Sequence, residues 1–149
     1  MNYNIRKVLP ADVADVVALC VAHAEYEKAN YEPKGKAERL EKMLFCQTPH
    51  LHCLIVESNN EIIGYATFSN ECSTWNAANY THMDCLFLYE EYRGLGIGEA
   101  LVNKIIQHSK MENAHHLEWQ TPIFNERAIR FYNRIGATSK EKLRFTLTF

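Results

Sequence analysis

The run Tyr92-Arg93-Gly94-Leu95-Gly96-Ile97-Gly98 is the part of this chain best suited to chemistry. Three alternating glycines behind an arginine leave backbone N–H groups uncovered where an amphipathic helix begins. A helix N-terminus carries about half a positive charge and several unpaired donors, so it attracts anions, phosphates above all. A Walker A loop needs Gly-x-x-x-x-Gly-Lys-Ser/Thr, with the lysine on the terminal phosphates and the hydroxyl on magnesium. Here Gly98 is followed by Glu99 and Ala100, so the lysine position carries the wrong charge. A dinucleotide fingerprint needs Gly-x-Gly-x-x-Gly. Counting from Gly94 its third glycine is Glu99, and from Gly96 it is Leu101. Neither nucleotide pattern is met.

A third pattern is met: Arg/Gln-x-x-Gly-x-Gly/Ala, by Arg93, Gly96 and Gly98. A tight strand-to-helix turn without a ligand accounts for such a match taken alone, so the flanks matter. Upstream, Asn79–Tyr89 is aromatic and apolar enough for a buried strand. Downstream, Ile97, Leu101, Val102, Ile105 and Ile106 recur at helical spacing. A second block follows. Leu117–Thr121 reads as a strand, and Asn125 can cap a helix running through Ala128, Ile129, Phe131, Tyr132 and Ile135 to a terminating Gly136. The two blocks, in this order, resemble the signature blocks of the GNAT superfamily, N-acetyltransferases that use acetyl-CoA. The resemblance covers residues 80–137 by motif and the rest by element order.

That resemblance implies specific roles. Arg93, Gly94, Leu95, Gly96, Ile97, Gly98 and Glu99 would cradle the CoA pyrophosphate. A backbone amide near Leu86, Phe87 or Leu88, on a bulged strand splayed from its neighbour, would hold the oxyanion and leave room for the pantetheine arm. Asn125, Ala128, Phe131 and Tyr132 would complete the cofactor wall, with Tyr132 as general acid. Acyl transfer also needs a proton acceptor, because a primary amine of pKa ~10 is neutral in only about one molecule per thousand at pH 7. Asp84, an acid among apolar strand residues, is the candidate base; a charge at a solvent-facing strand edge is the alternative. Diamine and polyamine acetyltransferases, which the stretch Trp75–Leu88 resembles faintly, carry Glu-Asp where this chain has Asp84 and Cys85. Losing one carboxylate weakens the case for a polycation and leaves a monoamine or amino sugar open. Glu25, Tyr26, Glu27, Tyr31 and Glu32 after the first helix, with Trp75 in a loop, are candidates for the acceptor wall, where an acidic and aromatic surface suits a cationic amine and a solvated helix end is the alternative.

The elements that must position these groups can be read coarsely. Tyr3–Val8 predicts a strand, and Asp12 opens a helix with Val13, Val16, Val17, Cys20 and Ala24 on one face. Pro33 and Gly35 break the chain before a helix over Lys36–Cys46. His52–Glu57 and Ile62–Ser69 predict strands joined by the turn Ser58-Asn59-Asn60-Glu61. Asn70–Ala78 reads as a loop and Lys142–Phe149 as a last alternating strand. The order is β-α-α-β-β-β-α-β-α-β, an α/β fold; the resemblance implies a mixed central sheet with flanking helices. The expectation is one domain over residues 1–149.

Composition narrows the function classes. A net charge of −2 from 16 basic and 18 acidic residues makes no electrostatic case for nucleic acid. The longest apolar run, Val16–Ala22, is too short to span a bilayer, and the first residues lack a leader's apolar stretch. Five cysteines without framework spacing point to the reducing cytoplasm. Cys46, His50, His52, Cys53 and the pair His115-His116 lack zinc spacing, so no metal is expected and these side chains are read as flanking strand starts, partly in water. The sequence thus points to an acetyl-CoA-dependent N-acetyltransferase acting on a small-molecule amine by direct transfer. Family habit implies a homodimer. Two alternatives stay open: a protein lysine or N-terminal acceptor, and a CoA-binding module without turnover.

Overall fold

The structure, a computed structural model, describes all residues from Met1 to Phe149. Five strands form one mixed sheet in the order β1-β2-β3-β4-β5. They are β1 (Asn4–Lys7), β2 (Leu51–Ser58), β3 (Glu61–Ser73), β4 (Ala78–Leu88) and β5 (Leu117–Glu118). The first four pair antiparallel, while β5 lies parallel to β4. The helices are α1 (Val13–Tyr26), α2 (Lys36–Phe45), α3 (Ile97–Met111) and α4 (Glu126–Arg134).

Both faces of the sheet are buried, and strict alternation along β2 shows how. Leu54 and Val56 pack with Ile97, Leu101, Val102 and Ile105 of α3. Cys53 and Ile55 pack with Val16 and Leu19 of α1 and Leu44 of α2. A side-chain period of two sends neighbouring residues to opposite faces, so a strand covered on both sides must be apolar throughout. The hairpin between β2 and β3 turns on Asn59 and Asn60, both with positive φ (51° and 64°), a conformation asparagine tolerates.

The pairing of β3 with β4 slips once. Thr67 faces Cys85 but Phe68 faces Met83, so Asp84 is an extra residue in β4. An inserted residue reverses which face every later side chain meets. Met83 therefore packs on the α3 side, while Cys85 and Phe87 turn to the α1 side. The bulge leaves Asp84 exposed in a strand that is otherwise mostly covered.

Several expectations need correction. Asn70–Ser73 is strand, not loop: β3 continues to Ser73, and Ser73 pairs with Ala78. The extension carries few apolar residues and rises beyond the core, so hydrophobic periodicity did not reveal it. The expected strand over Leu117–Thr121 shortens to Leu117–Glu118, because β4 and β5 part beyond that point. No strand forms over Lys142–Phe149; Leu143, Phe145, Leu147 and Phe149 are each more than four-fifths exposed. An alternating segment needs an edge to pair with, and two residues of β5 supply too little. The element order accordingly lacks its final strand. Leu19 is buried on α1 beside the expected face. Cys53 is buried rather than wetted, and the His52 ring sits between Phe68 and His108, 5.4 and 4.8 Å from their centroids.

Candidate active site

A cleft of about 450 Å³ opens where β4 and β5 separate. Thr81 and His82 pair with Leu117 and Glu118, and past that point no residue of β4 has a partner on that side. One wall is Met83–Leu88 of β4, and the other is Trp119–Thr121 and α4. A strand parted from its neighbour leaves alternate amides and carbonyls of Leu86–Leu88 without a sheet partner. Such groups can pair with an extended amide-containing arm, and one N–H can meet a developing oxyanion.

The floor of the cleft is the glycine turn. Gly94 and Gly96 have φ of +80° and +81°, which a side chain resists, and nothing stands within 4 Å of a Cβ built on either. Gly98 lies beneath the Phe131 ring, 3.4 Å from where its Cβ would sit. No side chain caps the start of α3, so its first N–H groups face the opening unpaired. These features fit an anion with a diphosphate's reach. Arg127, Arg130 and Arg134 line the same cleft from α4 at spacings of three and four, and add positive charge at the opening. The sequence reading passed over them, although that spacing places them on one helix face.

Asn125 caps α4 as expected: its Oδ1 accepts from the Ala128 N–H at 3.3 Å and from the Tyr26 hydroxyl at 3.0 Å. The second bond ties the end of α1 to the start of α4 across the cleft. Arg93 lies beneath this tie. Its Nε donates to the Leu88 carbonyl at 2.8 Å, and its guanidinium sits 4.2 Å from the Tyr26 ring centre. One guanidinium N–H is thus committed to Leu88, and the remaining donors, with the backbone amides of the turn, are available to an anion.

Tyr132 lies on the cleft wall against Trp119, ring centres 5.0 Å apart. Burial, with the nearby Glu27 carboxylate, pushes its phenol up to about 12. It therefore stays protonated at neutral pH and is a hydrogen-bond donor. Asp84 lines the same cleft from the bulge, and Cys85 beside it has its thiol raised to about 12 by burial.

Most of the predicted site residues meet here: Asp84 and Leu86–Leu88 from β4, Arg93, Gly94, Gly96, Gly98 and Glu99 from the turn, Asn125, Ala128, Phe131 and Tyr132 from α4, and Tyr26. Others lie elsewhere. Ile97 is in the core, Leu95 faces outward, Glu25 is exposed, and Trp75 is 97 % exposed at the β3–β4 hairpin. Tyr31 lies under the Lys36 ammonium, 3.9 Å from its ring centre. Glu27, one of the acids expected at the acceptor wall, also lines the cleft, beside His23, which the sequence did not single out. Their i,i+4 spacing on α1 was the available signal.

A splayed pair of strands, an uncapped glycine turn and a tyrosine on the opposite wall make up the arrangement that the resemblance implies for an acyl-CoA-dependent acyltransferase. Residues 18–137 match the acetyltransferase (GNAT) family, and the chain belongs to that family. It is an N-acetyltransferase, and the family's co-substrate is acetyl-CoA. The chain is 28 % identical over 141 residues to the thialysine N-epsilon-acetyltransferase of Bos taurus, covering 89 % of this chain and 82 % of that one. Its fold is similar to a solved transcriptional regulator from Bacillus halodurans (TM-score 0.84, 20 % identity, covering 98 % of this chain and 100 % of the other). An aminoglycoside acetyltransferase from an uncultured soil metagenomic sample superposes with TM-score 0.82 at 17 % identity, covering 99 % and 96 %.

Proposed function

We propose that this chain works as one N-acetyltransferase domain that moves the acetyl group of acetyl-CoA directly to a primary amine of a small cationic molecule. The observation that carries the reading is the parting of β4 from β5 beside an uncapped α3. Gly94–Glu99 would hold the pyrophosphate and Leu86–Leu88 the pantetheine arm. Acetyl-CoA supplies the activated thioester. Tyr132 is positioned to donate a hydrogen bond to the departing sulfur. Full proton transfer from a phenol near 12 to a thiolate near ~8.5 runs uphill by about 5 kcal/mol. Stabilisation by hydrogen bonding is therefore the larger part of its role. Asp84, which accepts only from the Cys85 thiol at 3.7 Å, gives the acceptor end a carboxylate that can hold an ammonium or take its proton. A relative that acts on thialysine and a fold neighbour that acts on aminoglycosides both support an amine acceptor.

The test is thiol release from acetyl-CoA in the presence of a panel of small amines and, separately, lysine peptides. Release with small amines is expected. Release with peptides alone would move the acceptor to protein, and tight acetyl-CoA binding without any release would make the chain a binding module.

The reading extends to assembly and setting. Leu143, Phe145, Leu147 and Phe149 expose one apolar face of an alternating segment, and a second copy of the chain would cover it in a homodimer. Sedimentation of the full chain should give a dimer, and Leu143→Ser with Phe145→Ser a monomer. A monomeric parent chain would remove the proposal. All five cysteines are free, in keeping with the cytoplasm. No helix is long and apolar enough to cross a membrane.

A further inference from the structure

We propose that Glu27 takes the proton of the attacking amine and that His23, fixed from behind by Tyr65, holds the Glu27 carboxylate in position. The proposal rests on the acetyl-transfer reading above. Three elements build the arrangement. His23 stands in the last turn of α1 and Glu27 caps its end one turn further on, where i and i+4 side chains meet. The His23 ring stacks on Phe87 of β4, centres 5.0 Å apart and 22° between planes. Its Nδ1 lies 3.0 Å from the hydroxyl of fully buried Tyr65 on β3, and its Nε2 lies 3.2 Å from Glu27 Oε1. Cys20 closes the chain by donating its S–H to the Tyr65 oxygen at 3.3 Å.

The direction of these bonds follows from who owns a proton. An ionised carboxylate can only accept, so Nε2 must carry hydrogen. Burial lowers His23 below its ordinary value, so the ring is neutral and Nδ1 is left as an acceptor. Tyr65 must then donate. Its phenol lies far above the usual range, chiefly through burial, and it keeps its proton. The series Cys20 to Tyr65 to His23 to Glu27 thus runs one way and engages only one oxygen of Glu27. The other oxygen is free to face the cleft that Glu27 lines. Glu27 also acts on the ionisation of Tyr132 across the cleft, which sets it near the end where sulfur would leave. The remaining charged groups around the pair are Asp84 from β4 and Arg93 from the turn. Arg93 is already bonded to Leu88 and stacked on Tyr26.

In the step itself an ammonium docks on Glu27 and passes one proton to the free oxygen. The freed lone pair forms the N–C bond to the thioester carbonyl, whose oxygen gains the charge. On collapse the C–S bond breaks, and the amide nitrogen sheds its remaining extra proton to solvent. The thiolate leaves against the Tyr132 hydroxyl and is protonated from solvent. Glu27 returns its proton to water. No oxidant or further reactant is required.

Wild type, Glu27→Gln, Asp84→Asn, His23→Gln and His23→Leu would be compared in the full chain. The readouts are acetyl-CoA affinity by calorimetry and thiol release from pH 6 to 10 with a panel of small primary amines headed by thialysine. Wild-type kcat/KM should be nearly flat between about pH 6 and 9, because ammonium and carboxylate react together. Glu27→Gln should lose about 1000-fold at pH 7 and rise about tenfold per pH unit, converging on wild type near pH 10. Asp84→Asn should raise KM and keep the flat profile. His23→Leu should fall roughly tenfold, and His23→Gln should recover most of that loss. A glutamine carbonyl accepts from Tyr65 while its amide donates to Glu27.

A wild-type profile in Glu27→Gln, an equal loss at every pH, or the steep slope appearing in Asp84→Asn instead would overturn the proposal. Absence of turnover by wild type with every amine sinks the small-amine reading first. The ring nitrogens of His23 then decide by NMR whatever the turnover or the folding of the variants. An Nε2–H tautomer is expected, and an Nδ1–H tautomer overturns the arrangement.

Discussion

Tyr132 shows how one side chain's surroundings change its chemistry. On an isolated amphipathic helix a tyrosine at this spacing would be core filler. Here Trp119 covers one side, and burial carries the phenol to about 12. Tyr132→Phe keeps the ring and removes only the hydroxyl. It should leave acetyl-CoA affinity unchanged and lower kcat by roughly ten- to a thousand-fold, read by thiol release. Turnover at the wild-type rate would return the residue to packing alone. Tyr132 was legible in the sequence because it stands in a spaced block with Asn125 and Gly136. Glu27 was legible only as one acid of a candidate acceptor wall, and His23 not at all. The pairing of the two depends on Tyr65, which lies 42 residues from His23 in sequence but 3.0 Å away in space.

Elements set the site by what they leave unpaired. Strand β4 pairs with β3 at every residue but Asp84, parts from β5 after His82, and ends in a turn that no side chain caps. Gly96 has a positive φ and open space around it. An aspartate there should cost about 1 kcal/mol in backbone strain, partly offset because a carboxylate favours a helix N-terminus. The fold should survive Gly96→Asp, while the fixed negative charge excludes a diphosphate. Loss of acetyl-CoA binding in calorimetry with an unchanged circular dichroism spectrum is expected. Unchanged affinity would sink the cofactor assignment. Gly64 works differently. A Cβ there would stand 2.7 Å from the Phe87 carbonyl oxygen and 2.3 Å from Leu88 Cδ2, so β3 and β4 must move apart. Gly64→Ala should cost about 1–3 kcal/mol, seen as a lower urea midpoint. It should also weaken acetyl-CoA, since β4 leads directly into the glycine turn. None of this closeness is visible in the sequence, where Gly64 is an ordinary residue of an apolar strand.

At the scale of the molecule, the α3-side face of the sheet carries two groups that must stay uncharged. His52 and His108 lie 4.8 Å apart between β2, β3 and α3, and burial lowers both below the ordinary histidine value. The His108 Nε2 is also buried without a partner. A group whose value is depressed in the folded state binds fewer protons there than in the unfolded chain. The stability it confers is complete above the unfolded value of ~6.5 and declines as pH falls below it. The thermal midpoint should therefore drop between pH 7.5 and 5.5. His108→Phe should make that drop shallower by removing one titrating group and the repulsion it exerts on His52. An equally steep drop in the variant would place the pH sensitivity elsewhere.

The anion turn, its helix, the second block and the covered strands were determined by the sequence alone. Each rests on local rules: glycine's freedom at positive φ, helical spacing of apolar residues, an asparagine cap and a turn of paired asparagines. The turn Arg93–Gly98 is therefore the part of the sequence from which a donor site can be proposed. Only the tertiary structure shows which of the candidate acids share one cleft, because that depends on register and on contacts between distant segments. One extra residue at Asp84 reverses the facing of β4 and brings a carboxylate into the cleft. The fold sets His23 against Tyr65, strands Trp75 in solvent, and withholds a partner edge from Lys142–Phe149. A strand's pattern states only that it would pair; the presence of an edge is a property of the whole sheet.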